Sequence, residues 1–473
     1  MDQVEIAHIE DISLDDHRAL SLLQLLSNSL ILYHTIPLLD PLSILNLGGS
    51  SKAFRDLVFK TPNVFRYLDL TRIKSARSEV GSVDNGAEVW RNVQVDENVT
   101  EDDFYGGPLR GIFTKLRQRD ILKDVQTLIL DGLAVPSDLV AEIILDQAFN
   151  VRLLSVREVQ HLNEPKLMQA LQYAVRPSRP KNTPRLEGLY IFGPKDPSPA
   201  RFRRKPDDNL AISSTPVQGG ILSTRGAQIG AEWNRKSGDA LWQALEDADR
   251  WFERSGQVVS RQILDRWADT LHACHGIISF DAVLCCGPRH SPAVGVRPES
   301  DTSGYLPPAV ATFSIDGCSG CGSSPEGFSR YRSSPIERFP LLSPLPLQSS
   351  SAKSAKAPLN YPHGVEKKLL VRCADCLRQR HCNSCQRWWC ENCYKVQAPG
   401  GGIVTALGVQ AHESNTVKIG VMRSCFECGF NCISCVNRTQ LLCKICAGGY
   451  CTIHNEGSTL TTAGRHSING CRC

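Results

Sequence analysis

Between Ser27 and Leu70 the apolar positions fall into short clusters separated by helix start and stop signals. Asp40-Pro41 reads as a helix start, because aspartate can accept free N–H groups and proline fits the first helical position. Leu42, Leu45 and Leu47 follow, and Gly48-Gly49 ends that helix. Ser50 or Ser51 can cap the next helix, which carries Phe54, Leu57 and Val58 on one face and stops at Thr61-Pro62. Val64, Phe65, Leu68 and Leu70 close the segment.

The pattern then changes. Residues 71–105 are polar and mixed, and read as a linker or long insertion. Three strand-like runs follow, from Val125 to Leu130, Val151 to Val156 and Leu186 to Ile191. After the first, Ser137 can cap a helix carrying Leu139, Val140, Ile143, Ile144 and Leu145. After the second, Pro165 begins a helix carrying Leu167, Met168, Leu171 and Tyr173. The runs begin 26 and then 35 residues apart. That alternation suits either irregular leucine-rich repeats or a plain α/β layer. Residues 176–230 are rich in Pro, Arg, Ser and Gly and read mostly as linker. Residues 238–274 look helical, with Ile263, Leu264, Trp267 and Leu271 late in the run, and Phe280 to Cys285 looks like a strand. Residues 323–364 are again Ser/Pro-rich.

A chain of 473 residues suggests about three domains. With 41% hydrophobic and 22% charged residues it suits a globular protein. A net charge of +4 and pI near 8.2 give no reason to expect nucleic acid or an anionic membrane as partner. The longest nearly apolar stretch, Leu30 to Leu39, contains His34 and Pro37 and is too short to span a bilayer. The acidic opening Met1 to Ile6 lacks a basic-then-apolar leader pattern, so cytoplasm and/or nucleus is the expected location.

All 20 cysteines lie after residue 273, and fourteen form Cys-x-x-Cys pairs. Two thiolates three residues apart on a tight turn can both face one tetrahedral ion, so the expectation is structural zinc rather than disulfides. From Cys373, Cys376, Cys382, Cys385, Cys390 and Cys393 to Cys425 and Cys428 there are eight ligands. From Cys432, Cys435, Cys443, Cys446, Cys451 and His454 to Cys471 and Cys473 there are eight more, with the same central spacing. This predicts a tandem two-zinc module. Cys285, His290, Cys318 and Cys321 could hold a further ion, with Cys286 able to replace Cys285. Cys274 and the unused member of Cys285/Cys286 are expected to be buried thiols. The total is about four or five zinc ions. Trp388-Trp389 is expected to shield a metal site rather than meet a partner.

Residues 27–70 resemble an F-box. The matching positions are Leu30, Ile36, Leu39, Asp40, Pro41, Leu45, Phe54, Leu57, Pro62, Phe65, Leu68 and Leu70, although the usual opening Leu-Pro is Leu26-Ser27 here. The resemblance implies a small helical bundle docking on the Skp-type adaptor and cullin scaffold of a ubiquitin ligase. Leu30, Ile36, Leu39, Pro41, Leu45, Phe54, Leu57 and Phe65 would be the contact residues. The cysteine modules resemble the cross-braced FYVE, PHD and RING group. That implies shared ions for Cys373/Cys376 with Cys390/Cys393, and for Cys382/Cys385 with Cys425/Cys428. It likewise implies Cys432/Cys435 with Cys451/His454, and Cys443/Cys446 with Cys471/Cys473. The strings Phe280 to His290 and Gly320 to Gly327 resemble a group of fungal F-box-like proteins with cysteine-rich C-terminal regions.

The expected architecture is therefore α+β and multidomain. An F-box-like unit spans 27–70, a leucine-rich-repeat-like α/β region 106–195, and a linker 196–235. A helix and strand segment with a metal site spans 236–322, a second linker 323–364, and tandem zinc modules 365–473. No phosphate loop, G-x-S-x-G or H-E-x-x-H motif is present, so the expectation is a non-catalytic adaptor that recruits a protein substrate. A RING-like ligase and a chromatin-binding zinc protein are the alternatives.

Overall fold

A computed structural model describes residues 21–77, 101–196, 250–252, 255–290, 306–358, 366–394, 396–397, 403–404, 421–425, 429–442 and 449–451. These residues form a mixed α/β structure.

The chain enters through four short helices: α1 (Leu22–Ser27), α2 (Ser29–Thr35), α3 (Pro41–Ser50) and α4 (Lys52–Lys60). Ser21 and Gln24 form a capping box on α1, and Asn28 caps α2. Helix α3 begins at Pro41 as expected, but the Asp40 side chain makes no capping hydrogen bond. Gly48 and Gly49 lie inside α3 rather than ending it. A Cβ on Gly48 would sit 3.1 Å from Phe59 Cε2, so its absence lets α4 approach. Ser51 caps α4. Leu26, Leu32, Ile36, Ile44, Val58, Val64, Phe65 and Ile121 form the core of this unit.

Five parallel strands follow in the order β1 (Tyr67–Asp69), β2 (Thr127–Ile129), β3 (Leu153–Ser155), β4 (Gly188–Tyr190) and β6 (Ser279–Phe280). Each crossover carries a helix: α5 (Glu101–Gln118), α6 (Ser137–Leu145), α7 (Glu164–Ala174) and α8 (Arg266–Ala273). Helix α5 begins within the expected 71–105 linker, and its Leu109 and Phe113 are buried. Ser137 is the first residue of α6, and its hydroxyl bonds the Asn163 backbone instead of capping. Asn163 itself caps α7. Helix α8 is shorter than the expected 238–274 run. Ile263 and Leu264 precede it, and 238–249 lie outside the described residues. The same holds for the expected linker 196–235, apart from Asp196.

One face of this sheet packs Leu68, Leu128, Leu154 and Leu189 against the helices. The other face presents Ile129, Leu153 and Tyr190, as a parallel sheet buried on both sides requires. It is covered by residues 339–357, which corrects the reading of 323–364 as a linker. Leu341, Leu345 and Ala355 join that face in one core. Leu341 N donates to Phe280 O (2.8 Å), Tyr190 Oη to Leu342 O (3.0 Å), and Arg66 Nη2 to Leu347 O (3.2 Å). Thr127 Oγ1 bonds Ser350 Oγ (2.9 Å). The serines and prolines of this strap satisfy polar groups and bends along a crossing path.

A second sheet, antiparallel, has the order β5 (Gly256–Gln257), β7 (Phe313–Ile315), β9 (Lys368–Arg372) and β8 (Ser329–Arg330). Strand β9 runs straight into Cys373, and β7 ends three residues before Cys318. Near the C-terminus lie β12 (Val421–Cys425), paired with β13 (Gly429–Cys432), then α11 (Ile433–Thr439).

Candidate metal centres

Among the described residues, three groups of four ligand atoms converge. Cys285, His290, Cys373 and Cys376 form the first, Cys318, Cys321, Cys390 and Cys393 the second, and Cys382, Cys385, Cys432 and Cys435 the third. Within each group the ligand atoms lie within 4.8 Å of one another.

The first group joins two elements distant in sequence. The loop after β6 is pinned beside 306–311 by Cys285 N to Ala309 O (2.8 Å) and Ala311 N to Val283 O (2.8 Å). That places Cys285 and His290 against the end of β9, where Cys373 starts the short helix α10 (Ala374–Leu377). His290 Nδ1 lies 2.6 Å from Pro307 O, which can only accept, so Nδ1 carries the proton. Nε2 then turns toward Cys373 Sγ at 3.3 Å, the orientation of a metal-bound imidazole held by a backbone carbonyl. The Cys285 sulfur, then the Cys373 sulfur, push the His290 pKa up to about 10. The pocket thus asks for a positive charge beside the sulfurs, either a proton or a metal cation.

The backbone is cut away around these sulfurs. A Cβ on Gly287 would sit 2.5 Å from Cys376 Sγ, and one on Gly320 would sit 3.0 Å from Cys393 Sγ. Cys373 N points at Cys285 Sγ (3.1 Å), Cys390 N at Cys318 Sγ (3.1 Å) and Cys432 N at Cys382 Sγ (3.3 Å). A tetrahedron with bonds of about 2.3 Å to sulfur has edges of about 3.8 Å. Cys321 and Cys390 sulfurs are 3.8 Å apart, and Cys385 and Cys432 sulfurs 3.9 Å. These separations are far beyond the roughly 2.05 Å of a disulfide. The three sets therefore fit a tetrahedral ion.

The pairing differs from the one the cross-braced resemblance implies. Cys373/Cys376 join Cys285/His290, not Cys390/Cys393. Cys318/Cys321 take Cys390/Cys393, and Cys382/Cys385 take Cys432/Cys435 rather than Cys425/Cys428. The candidate fifth site, Cys285 to Cys321, is split between the first two groups. The cause is topological: β7 and β9 are neighbours, so the ligand pairs at their ends interleave across the strap. Cys425 and Cys451 end strands β12 and β15 (Gly449–Cys451). Cys428, Cys443, Cys446, His454, Cys471 and Cys473 lie outside the described residues. Cys274 is buried as expected, whereas Cys286 is exposed. Trp388 and Trp389 are buried in one core with ligands of the second and third groups. Arg289 and Arg380 both reach Glu391, tying the first group to the turn of the second. Sequence spacing did not reveal the role of Gly287 and Gly320, although a glycine beside the cysteines was the available signal.

A second surface lies on the N-terminal helices. Of the thirteen exposed large apolar side chains among the described residues, nine fall between Leu22 and Phe59. Leu30 is 69% exposed and Leu38 67%. Of the expected contact residues, Leu30, Leu39 and Leu45 are exposed and Phe54 and Leu57 half-buried. Pro41 is buried, and Ile36 and Phe65 sit in the bundle core. Leu22, Leu25, Ile31, Leu38, Leu42 and Phe59 are exposed in addition. Asp40 is the sole carboxylate, and no Lys or Arg occurs, between Ser21 and Ser51. No protein-family model, curated protein or solved structure matches the chain. Among the described residues no helix is long and apolar enough to cross a membrane.

Proposed function

We propose that the protein is an F-box-type adaptor of a cullin-RING ubiquitin ligase, with its zinc centres serving as scaffold. The observation that carries this reading is the set of exposed apolar side chains between Leu22 and Leu45, a stretch with Asp40 as its sole carboxylate and no Lys or Arg. A concentration of exposed apolar side chains of that kind marks a protein-docking site. The F-box resemblance supplies the occupant, a Skp-type adaptor bound in turn to the cullin. The parallel strands in sequential order, each crossover carrying a helix, support reading residues 106–195 as degenerate leucine-rich repeats. The repeats and the cysteine-rich region would present the substrate. Thiolate and imidazole ligands in fours favour zinc, and free thiols suit the reducing cytoplasm or nucleus. The RING-like alternative rests on the tandem zinc modules over 365–473, and the groups among the described residues pair differently from the cross-braced set.

Deleting 27–70 would also remove β1, so the test uses point changes. The full chain and its Leu30→Glu variant are affinity-purified from cells in parallel. The adaptor and cullin should accompany the wild type and be depleted from the variant. Their absence from the wild type would overturn the proposal.

A further inference from the structure

The three ligand groups differ in their exposure to solvent. In the first, all four ligands are buried. In the third, Cys385 alone is half-buried. In the second, Cys321 is exposed and Cys393 half-buried, while Cys318 and Cys390 are buried. We propose that the Cys318–Cys321–Cys390–Cys393 centre is a peroxide-sensitive switch in which Cys321 is the attacking thiolate and Cys390 the resolving one. The inference rests on the reading of these groups as metal centres.

The geometry separates the roles. Cys318 Sγ accepts N–H bonds from Gly320 (3.3 Å) and Cys390 (3.1 Å), which draw electron density from that sulfur. Cys321 Sγ faces the Ser323 carbonyl instead (3.7 Å) and is open to solvent. Access and thiolate character govern which sulfur oxidises. Hydrogen peroxide is the oxidant. The Cys321 sulfur attacks one peroxide oxygen, a sulfur–oxygen bond forms, and the O–O bond breaks to release hydroxide. The Cys390 sulfur, 3.8 Å away, then attacks the Cys321 sulfur and expels the second hydroxide. Two thiolates, one peroxide and two protons become one disulfide and two waters. The two sulfurs lost are half of the ligand set, and Cys318 and Cys393 alone cannot retain a structural ion. The new disulfide keeps the two turns joined. Ser319 N donates to Trp388 O (2.8 Å), a second tie between the two turns that involves neither sulfur.

The test uses the full metal-loaded chain. Hydrogen peroxide is added in steps, released metal is read with a chromogenic chelator, and cysteines are mapped by alkylation and peptide mass spectrometry. Among the three groups, the Cys321–Cys390 disulfide should form first, with metal loss, and a dithiol should reverse both. Earlier oxidation of the first or third group, or simultaneous oxidation of all three, would overturn the proposal. A protein with no bound metal before peroxide would sink the metal reading as well, so the two failures are distinguishable. A Cys286→Ser variant removes an exposed cysteine that belongs to none of the three groups, and it should leave the order of oxidation and the metal release unchanged.

Discussion

Replacing Gly287 by alanine is the sharpest perturbation of the metal scaffold. The added Cβ would sit 2.5 Å from Cys376 Sγ, 3.4 Å from Cys285 Sγ and 3.4 Å from Arg372 Cδ. An ordinary carbon–sulfur contact is about 3.5 Å or more, so something must move by roughly 1 Å. Metal–ligand distances tolerate about 0.2 Å. Neither the buried Cys376 nor the buried Arg372 has room to yield. The predicted outcome is loss of the first centre. A structural zinc contributes on the order of 10 kcal/mol of apparent binding energy, comparable with the roughly 5–15 kcal/mol total stability of a domain. Elemental analysis of purified protein should show one ion fewer than wild type, and the Tm should fall by on the order of 10 °C or more. Gly111→Ala is the control. Nothing lies within 4 Å of its Cβ, on α5, and it should gain about 0.5–1 kcal/mol. Unchanged metal content and Tm in Gly287→Ala would refute the assignment of the first group.

Other predictions probe the strap and the buried charges. Leu341→Ala should cost about 2–5 kcal/mol in denaturant unfolding, because Leu341 is 1% exposed against the sheet, whereas a linker residue would cost nothing. Arg157 bonds Asp131 and Asp196 while 1% exposed, so Arg157→Met should cost about 3–5 kcal/mol by stranding the buried Asp131 carboxylate. Burial pushes Lys356 down to about 8. The folded state therefore binds this proton less readily than the unfolded chain, and the charged lysine destabilises at pH 7. Stability from this group should rise as pH climbs from about 8 to about 10.5. Lys356→Met should accordingly be more stable than wild type at pH 7, by on the order of 3 kcal/mol, with the difference fading above about pH 10 in paired thermal melts.

Local features were legible in the sequence. Asp40-Pro41 marks α3, Ser51 caps α4, and β2, β3 and β4 fall inside the three apolar runs because fully buried strands must be apolar on both faces. Cysteine spacing found the ligands, because two sulfurs on one turn are a local arrangement. Pairing between turns is not local. Cys285 meets Cys373 because its loop is bonded to residues 309–311, just before β7, and β7 lies beside β9; no spacing rule encodes that adjacency. The strap failed for a related reason. Its leucines are spread among serines and prolines, with no helical or strand period, since it crosses the sheet rather than joining it. Cys286 was interchangeable with Cys285 on composition, and only the fold turns one inward and the other to solvent.

The central claim is that α1 to α4 dock a Skp-type adaptor through apolar contact. Titrating purified adaptor into the full chain tests it most directly. The account predicts a Kd below about 1 µM, little changed between about 50 mM and about 500 mM salt because residues 21–51 carry one carboxylate and no Lys or Arg. Leu30→Glu with Leu38→Glu should weaken it by about 100-fold or more, since each side chain contributes about 1–2 kcal/mol on burial and a glutamate adds desolvation cost. Both positions are two-thirds exposed, so the variant's Tm should match wild type. No binding by the wild type, or undiminished binding by the double variant, would contradict the account.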